Sequence, residues 1–206
     1  MLVIGLNKEF VSGKRVLIGE IFMLGLKQNT VQLQEHDSTW KDEFLKEKEL
    51  LSEILQKNAF SINHIGSTVI PWIYAKPILD IAVEVVSFDV LDSLSENLQD
   101  KGFIYRPMHD EPGRRLYVKG GEDYRTHHVH FFEKDSKELK GHLFFRDYLI
   151  KNKAVAIEYE ELKKKLAVQF PDDREKYTDG KAEFIKVVLE KQHQRSYLHS
   201  TEGEIT

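Results

Sequence analysis

The chain has 206 residues, 41% hydrophobic and 31% charged, with a formal net charge of −4 and no cysteine. That length supports one good core rather than two. The weak negative charge excludes a chain that is basic overall and built for nucleic acid or anionic membrane, and an anionic ligand must then be caught locally. The missing cysteines exclude disulfide scaffolding and thiolate chemistry and suit a cytoplasmic protein.

Residues 1–29 read as an N-terminal extension. The first 22 have the character of translated leader ahead of Met23, although "RVLIGEIF" also has strand propensity. The apolar stretch from Val16 to Leu26 is interrupted by Glu20 and is too short to span a bilayer, and no cleavage site follows it. From Ser38 to Lys57, Trp40, Phe44, Leu51, Ile54 and Leu55 recur near a 3.6-residue period, which predicts an amphipathic helix. "AFSINHI" reads as a strand, the Gly66-Ser67 pair as a corner, and "PILDIAVEVV" as a second strand buried on at least one face. Ser87 is placed to cap a helix running to about Gln99. "FIYRP", "RRLYVKG" and "YRTHHVHFFE" follow, the last two forming a hairpin about the Gly120-Gly121 turn.

From Asp135 helical periodicity takes over. Asp135 with Glu138 resembles a capping box, and interruptions near Asn152, Pro171 and Thr178 predict three helices ending near Tyr197. The Lys163-Lys164-Lys165 triplet, offset by Glu158, Glu160 and Glu161, reads as a solvated face. Residues 30–134 are the expected core, 135–198 helices packed on it, and 199–206 a disordered tail.

Strand alternation puts Asp80, Ala82 and Glu84 on one face and Ile81, Val83 and Val85 on the other. An acid on a core strand is a candidate ligand for Mg²⁺, which favours one or two carboxylates plus substrate phosphates. Gly66, Ser67 and Thr68 can cradle phosphate, glycine allowing close approach while hydroxyls and N–H groups donate. In "THHVHFFE", His128 and His130 share a face and can bind metal, move protons or donate to phosphate, and His64 is a candidate third imidazole. Lys76 and Arg125 are the favoured phosphate cations over Arg114 and Arg115. Taken singly, each feature also has a structural reading: a turn, a hydrogen-bonded acid, pleat neighbours.

"VQLQEHDSTWKDEF", "HIGSTVIPWIYAKPILDI", "RTHHVHFF", "FFRDYL", "YEELKKKLA" and "YTDGKAEFI", in this order, resemble the GrpB family across most of the chain. That family is placed in the nucleotidyltransferase superfamily with a DNA polymerase β-like fold. The resemblance implies an α/β (α+β) mixed sheet flanked by helices, and a strand whose acidic pair holds divalent metal beside a nucleoside triphosphate. Asp80 matches the first acid, Ala82 stands where the second is expected, and Glu84 lies roughly 7 Å further along the strand. The implied roles are Ser67 and Lys76 on phosphates, Asp80 with Glu84 on Mg²⁺, and His128 and His130 at the transferred group, with an unknown acceptor. The alternatives are a nucleotide-binding or interaction module without turnover and, less favoured, a histidine-based metal hydrolase.

Overall fold

The computed structural model describes residues 24–202 other than 110 and 122, so the expected leader lies outside the described residues. A short strand β1 (Leu26–Lys27) precedes helix α1 (Thr39–Leu55), strand β2 (Ala59–Ile65) and strand β3 (Leu79–Val85). Helices α2 (Phe88–Ser93) and α3 (Ser95–Asp100) lead to β4 (Ile104–Tyr105), β5 (Arg114–Lys119), β6 (Tyr124–Arg125) and β7 (His127–Glu133). Helices α4 (Lys137–Lys151), α5 (Lys153–Gln169), α6 (Arg174–Asp179) and α7 (Ala182–Glu202) complete the described chain. The expected mixed sheet flanked by helices is present: five strands in the order β2-β3-β7-β5-β4, with β3 and β7 parallel and the other neighbours antiparallel.

One face of the sheet buries Ile81, Val83, Val85, Val129 and Phe131 against Trp40, Phe44, Leu51 and Leu55 of α1 and against Leu91 and Leu98 of α2 and α3. The apolar stripe of α1 is therefore spent on this core, as its period requires. On the other face, Ala82 and Phe132 pack with Ile65 and with Leu139 of α4. The C-terminal helices gather round Ile70, Ile73, Leu149 and Tyr159, and round Val31, Leu166 and Tyr177.

Several expectations are revised. Residues 24–29 of the expected N-terminal extension are packed, since Leu26 pairs with Arg125 and the Tyr124 hydroxyl donates to the Gly25 carbonyl at 2.9 Å. The helix after Ser87, whose side chain caps it at Val90 N, breaks at Leu94 into two. Ser136 rather than Asp135 caps α4, accepting from Leu139 N, while Asp135 takes φ 65°. The three interruptions divide the C-terminal segment into four helices, not three, and the last continues to Glu202, past the expected start of the tail. Among the described residues no helix is long and apolar enough to cross a membrane.

Candidate functional site

Parallel pairing of β3 with β7 sets Asp80 beside His128 and Ala82 beside His130. The His128 Nδ1 atom lies 3.0 Å from Asp80 Oδ1, and His130 Nε2 lies 3.8 Å from the same oxygen. On its other side, His130 Nδ1 is 2.9 Å from Arg114 Nη1. A guanidinium only donates, so His130 Nδ1 is the acceptor and its ring proton sits on Nε2, towards Asp80. A carboxylate only accepts, so the His128 proton is on Nδ1 and the Nε2 lone pair is left for other chemistry. Burial would raise the Asp80 pKa, but the hydrogen bonds from His128 and His130 hold it well below the usual carboxylate range. Burial in turn depresses His130 to about 4.

Asp80 Oδ2 owes its place to the corner opposite. Ile65 pairs with Asp80 across β2 and β3, and Gly66 then turns with φ 73°. A Cβ on Gly66 would come 2.4 Å from Asp80 Oδ2, so only glycine leaves room for the carboxylate. After this corner comes a single 3₁₀ turn, Ser67–Val69, too short for a helix dipole. Ser67 is hydrogen-bonded with Tyr159 of α5.

Asp80, 31% exposed, looks into a cleft of about 1080 Å³ whose walls carry Lys76, Lys163, Arg174 and Lys181. Lys76 and Lys181 lie 5.0 and 4.7 Å from the centroid of the Tyr177 ring, and Lys163 is 5.0 Å from that of Tyr159. Burial and then the neighbouring cations lower Lys76 and Lys163 to about 7, and burial lowers Lys181 to about 8. Arg174 is held below the ordinary guanidinium range by burial. Asp80 thus shares its part of the cleft with several buried cations, while Glu111 and Glu138 also line the cleft.

Of the residues expected at a site, Gly66, Ser67, Thr68, Lys76, Asp80, Arg125, His128 and His130 all line this cleft. The Thr68 hydroxyl is engaged with His64 Nε2 at 2.9 Å, and His64 is stacked on Phe44, so this buried imidazole belongs to the packing. Glu84 is not brought to the site: its carboxylate accepts from the Asp135 N–H at 3.0 Å and from Ser61 at 3.4 Å. Glu133 accepts from Phe88 N, and Arg115 pairs with Asp92. Reading the lysine triplet as a solvated face holds for Lys164, paired with Glu160 and Glu161, but fails for Lys163, which is buried and donates to the Tyr74 carbonyl. Lys163 shares the buried stripe of Ala156, Tyr159 and Leu166, and that spacing is the signal that separates it from its neighbours. Nothing comparable marks Arg174 and Lys181, which reach the cleft only through the packing of α6 and α7.

Asp80, His128 and His130 offer ligand atoms that all lie within 4.8 Å of one another, a group that could hold a metal ion. The protonation pattern narrows it. With Nδ1 accepting from Arg114 and Nε2 protonated, His130 has no lone pair to give. Asp80 is the hard oxygen ligand of the group, and among the described residues no second carboxylate joins it there to bridge two ions.

A family profile described as GrpB protein matches residues 30–191. The UPF0157 protein YqkA of Bacillus subtilis (strain 168) is 38% identical over 88% of this chain, which spans 52% of that relative's length. The crystal structure of the conserved protein GrpB from Enterococcus faecalis is 36% identical, covers 81% of this chain and 99% of that one, and superposes with a TM-score of 0.74. The Cid1 poly(U) polymerase with MgGTP bound covers 66% of this chain and 44% of its own, at 13% identity and a TM-score of 0.45, a likeness too slight to bear on chemistry. With its profile running from the segment before α1 into α7 and a full-length structural counterpart, the chain belongs to the GrpB family.

Proposed function

We propose that the protein binds a nucleoside triphosphate in this cleft and transfers its nucleotidyl group to an acceptor. The observation that carries this reading is the convergence of Lys76, Lys163 and Lys181 with Arg174 on the side of the cleft that holds Asp80. Buried like charges repel one another, and a polyanion relieves that cost. The three lysines take the phosphates as point charges, and Gly66 lets the backbone of the corner approach them. His128 Nε2 accepts the proton of the acceptor hydroxyl as the new phosphoester bond forms, while Asp80 fixes the ring through Nδ1–H and stabilises the imidazolium. The lysines also offset the charge that develops on the leaving pyrophosphate. Mg²⁺ entering with the triphosphate would be held by Asp80 and would neutralise phosphate charge.

A second reading is favoured by Ala82: with the second acid replaced by a buried methyl group, the protein is a nucleotide-binding module without turnover. Calorimetry of ATP, GTP, CTP and UTP with and without Mg²⁺ tests binding, and pyrophosphate release tests turnover. The wild type should bind at least one triphosphate, more tightly with Mg²⁺, and D80N should lose the Mg²⁺ dependence. No triphosphate binding, or an unchanged Mg²⁺ dependence in D80N, overturns the proposal. Binding without pyrophosphate release across acceptors selects the module.

A further inference from the structure

One side of the cleft is left unassigned by that mechanism. Arg106 follows β4, with its backbone N–H on the Leu116 carbonyl of β5 at 2.8 Å. Arg125 lies on β6, Arg174 opens α6, and all three line the cleft. They are close enough to act on one another: after burial, Arg106 and Arg174 are the charges that disfavour the charged form of Arg125. Arg106 Nε and the Nε and Nη2 atoms of Arg174 are buried with no hydrogen-bond partner, and among the described residues neither side chain forms an ion pair within 4.0 Å. Arg125 is oriented by donating from Nη1 to the Gly121 carbonyl at 2.6 Å and to the Tyr124 carbonyl at 3.3 Å. Buried donors without acceptors are costly, and guanidinium donors set round one space suit a single compact oxyanion better than a strung-out chain of phosphates.

Arg106 and Arg125 are not among the main charges acting on Lys76 and Lys181, whereas Arg174 is shared between the two sets. Arg125 belongs to β6, set off from His128 on β7 by the bend at Thr126, and Arg106, Arg174 and Asp123 are among the charges acting on it. Lys76 and Lys181 feel Asp80, and Arg174 acts both on them and on Arg125, which joins the two sets of cations. We propose that Arg106, Arg125 and Arg174 form a second anion subsite that takes a phosphate monoester carried by the acceptor. The anion subsite stands on its own observations, whereas its assignment to the acceptor rests on the reading of the cleft as a nucleotide site. The acceptor is then a phosphorylated molecule, with its phosphate anchored away from the hydroxyl that faces His128.

Inorganic phosphate is the probe, titrated by calorimetry into the full chain alone and into the chain saturated with a non-hydrolysable ATP analogue. Phosphate should bind in both cases. R106Q should weaken it at least tenfold while changing analogue affinity less than twofold, and R106K, which keeps the charge and loses the fork, should fall between. Circular dichroism establishes that each variant is folded, and R106K serves if R106Q is not. Phosphate affinity untouched in a folded Arg106 variant overturns the subsite. Loss of phosphate binding once the analogue is bound overturns the assignment to the acceptor, because the trio then serves the nucleotide's own phosphates. If the analogue does not bind the wild type but phosphate binding still depends on Arg106, the nucleotide reading fails and the subsite stands.

Discussion

Lys163 offers a direct test of the claim that the cleft is charged for a ligand rather than for stability. It is 2% exposed, and its pKa falls from 10.5 to about 7. The unfolded chain therefore binds more protons than the folded one between about pH 7 and 10.5, so stability rises with pH across that window and is lowest below it. Each tenfold change in proton affinity is worth about 1.4 kcal/mol, which puts the cost of a charged Lys163 near pH 6.5 at about 4–5 kcal/mol. Replacement by methionine removes that cost at similar volume but forfeits the hydrogen bond to the Tyr74 carbonyl, worth about 1–3 kcal/mol. K163M without ligand should accordingly be more stable than wild type by about 2 kcal/mol at pH 6.5, and the advantage should vanish by about pH 10. It should also bind triphosphate more weakly. Urea denaturation of both proteins at pH 6.5, 8 and 9.5, reading the difference between them, cancels the titrating groups that do not interact with Lys163 and reads Lys163 together with the cations coupled to it. A variant less stable than wild type at pH 6.5, or a difference that does not depend on pH, would refute the reasoning.

Three further outcomes are expected. G66A combines strain at φ 73° with a clash against Asp80 Oδ2, so it should lower stability by about 1–2 kcal/mol and displace the carboxylate, with loss of Mg²⁺-dependent nucleotide binding in calorimetry. A82D should not rebuild an acidic pair but unfold the protein: Ala82 is fully buried among Ile65, Phe132 and Leu139, and a carboxylate there costs at least about 3 kcal/mol, visible as a fall in Tm of many degrees. His64 and His127 are both buried, and burial depresses each to about 4. Each is neutral when folded and charged when unfolded between pH 6.5 and 4, so acidification to pH 4.5 should remove about 2–3 kcal/mol per residue. H64Q and H127Q should each flatten the dependence of urea midpoint on pH over that range.

The fold and the near half of the site were legible because both rest on local periodicity. Alternation along "LDIAVEV" and "HHVHFFE" fixed which side chains share a face, and Asp80, His128 and His130 meet because both strands obey it. The far half was not legible. Lys163 comes from α5, Arg174 from the start of α6 and Lys181 from the turn before α7, and helical order alone does not say which of these leans on which strand. Glu84 misled for a related reason: it shares the face of Asp80, but the loop after β7 supplies the Asp135 N–H that claims its carboxylate. The cap of α4 shows the same limit at short range, because Asp135 and Ser136 both satisfy the pattern and only the backbone turn at Asp135 selects the serine.

The distribution of the cleft's cations along the chain has a further outcome. Lys76 belongs to the segment before β3, while Lys163, Arg174 and Lys181 belong to the C-terminal helices and the turns between them. An occupant of the cleft consequently fastens the end of the chain to its middle, and its removal leaves that junction to repel itself. By mass action, occupancy at a hundred times the dissociation constant adds about 2.7 kcal/mol to folding. Added ligand should therefore slow proteolysis of the C-terminal helices, whose junction with the segment before β3 it holds together.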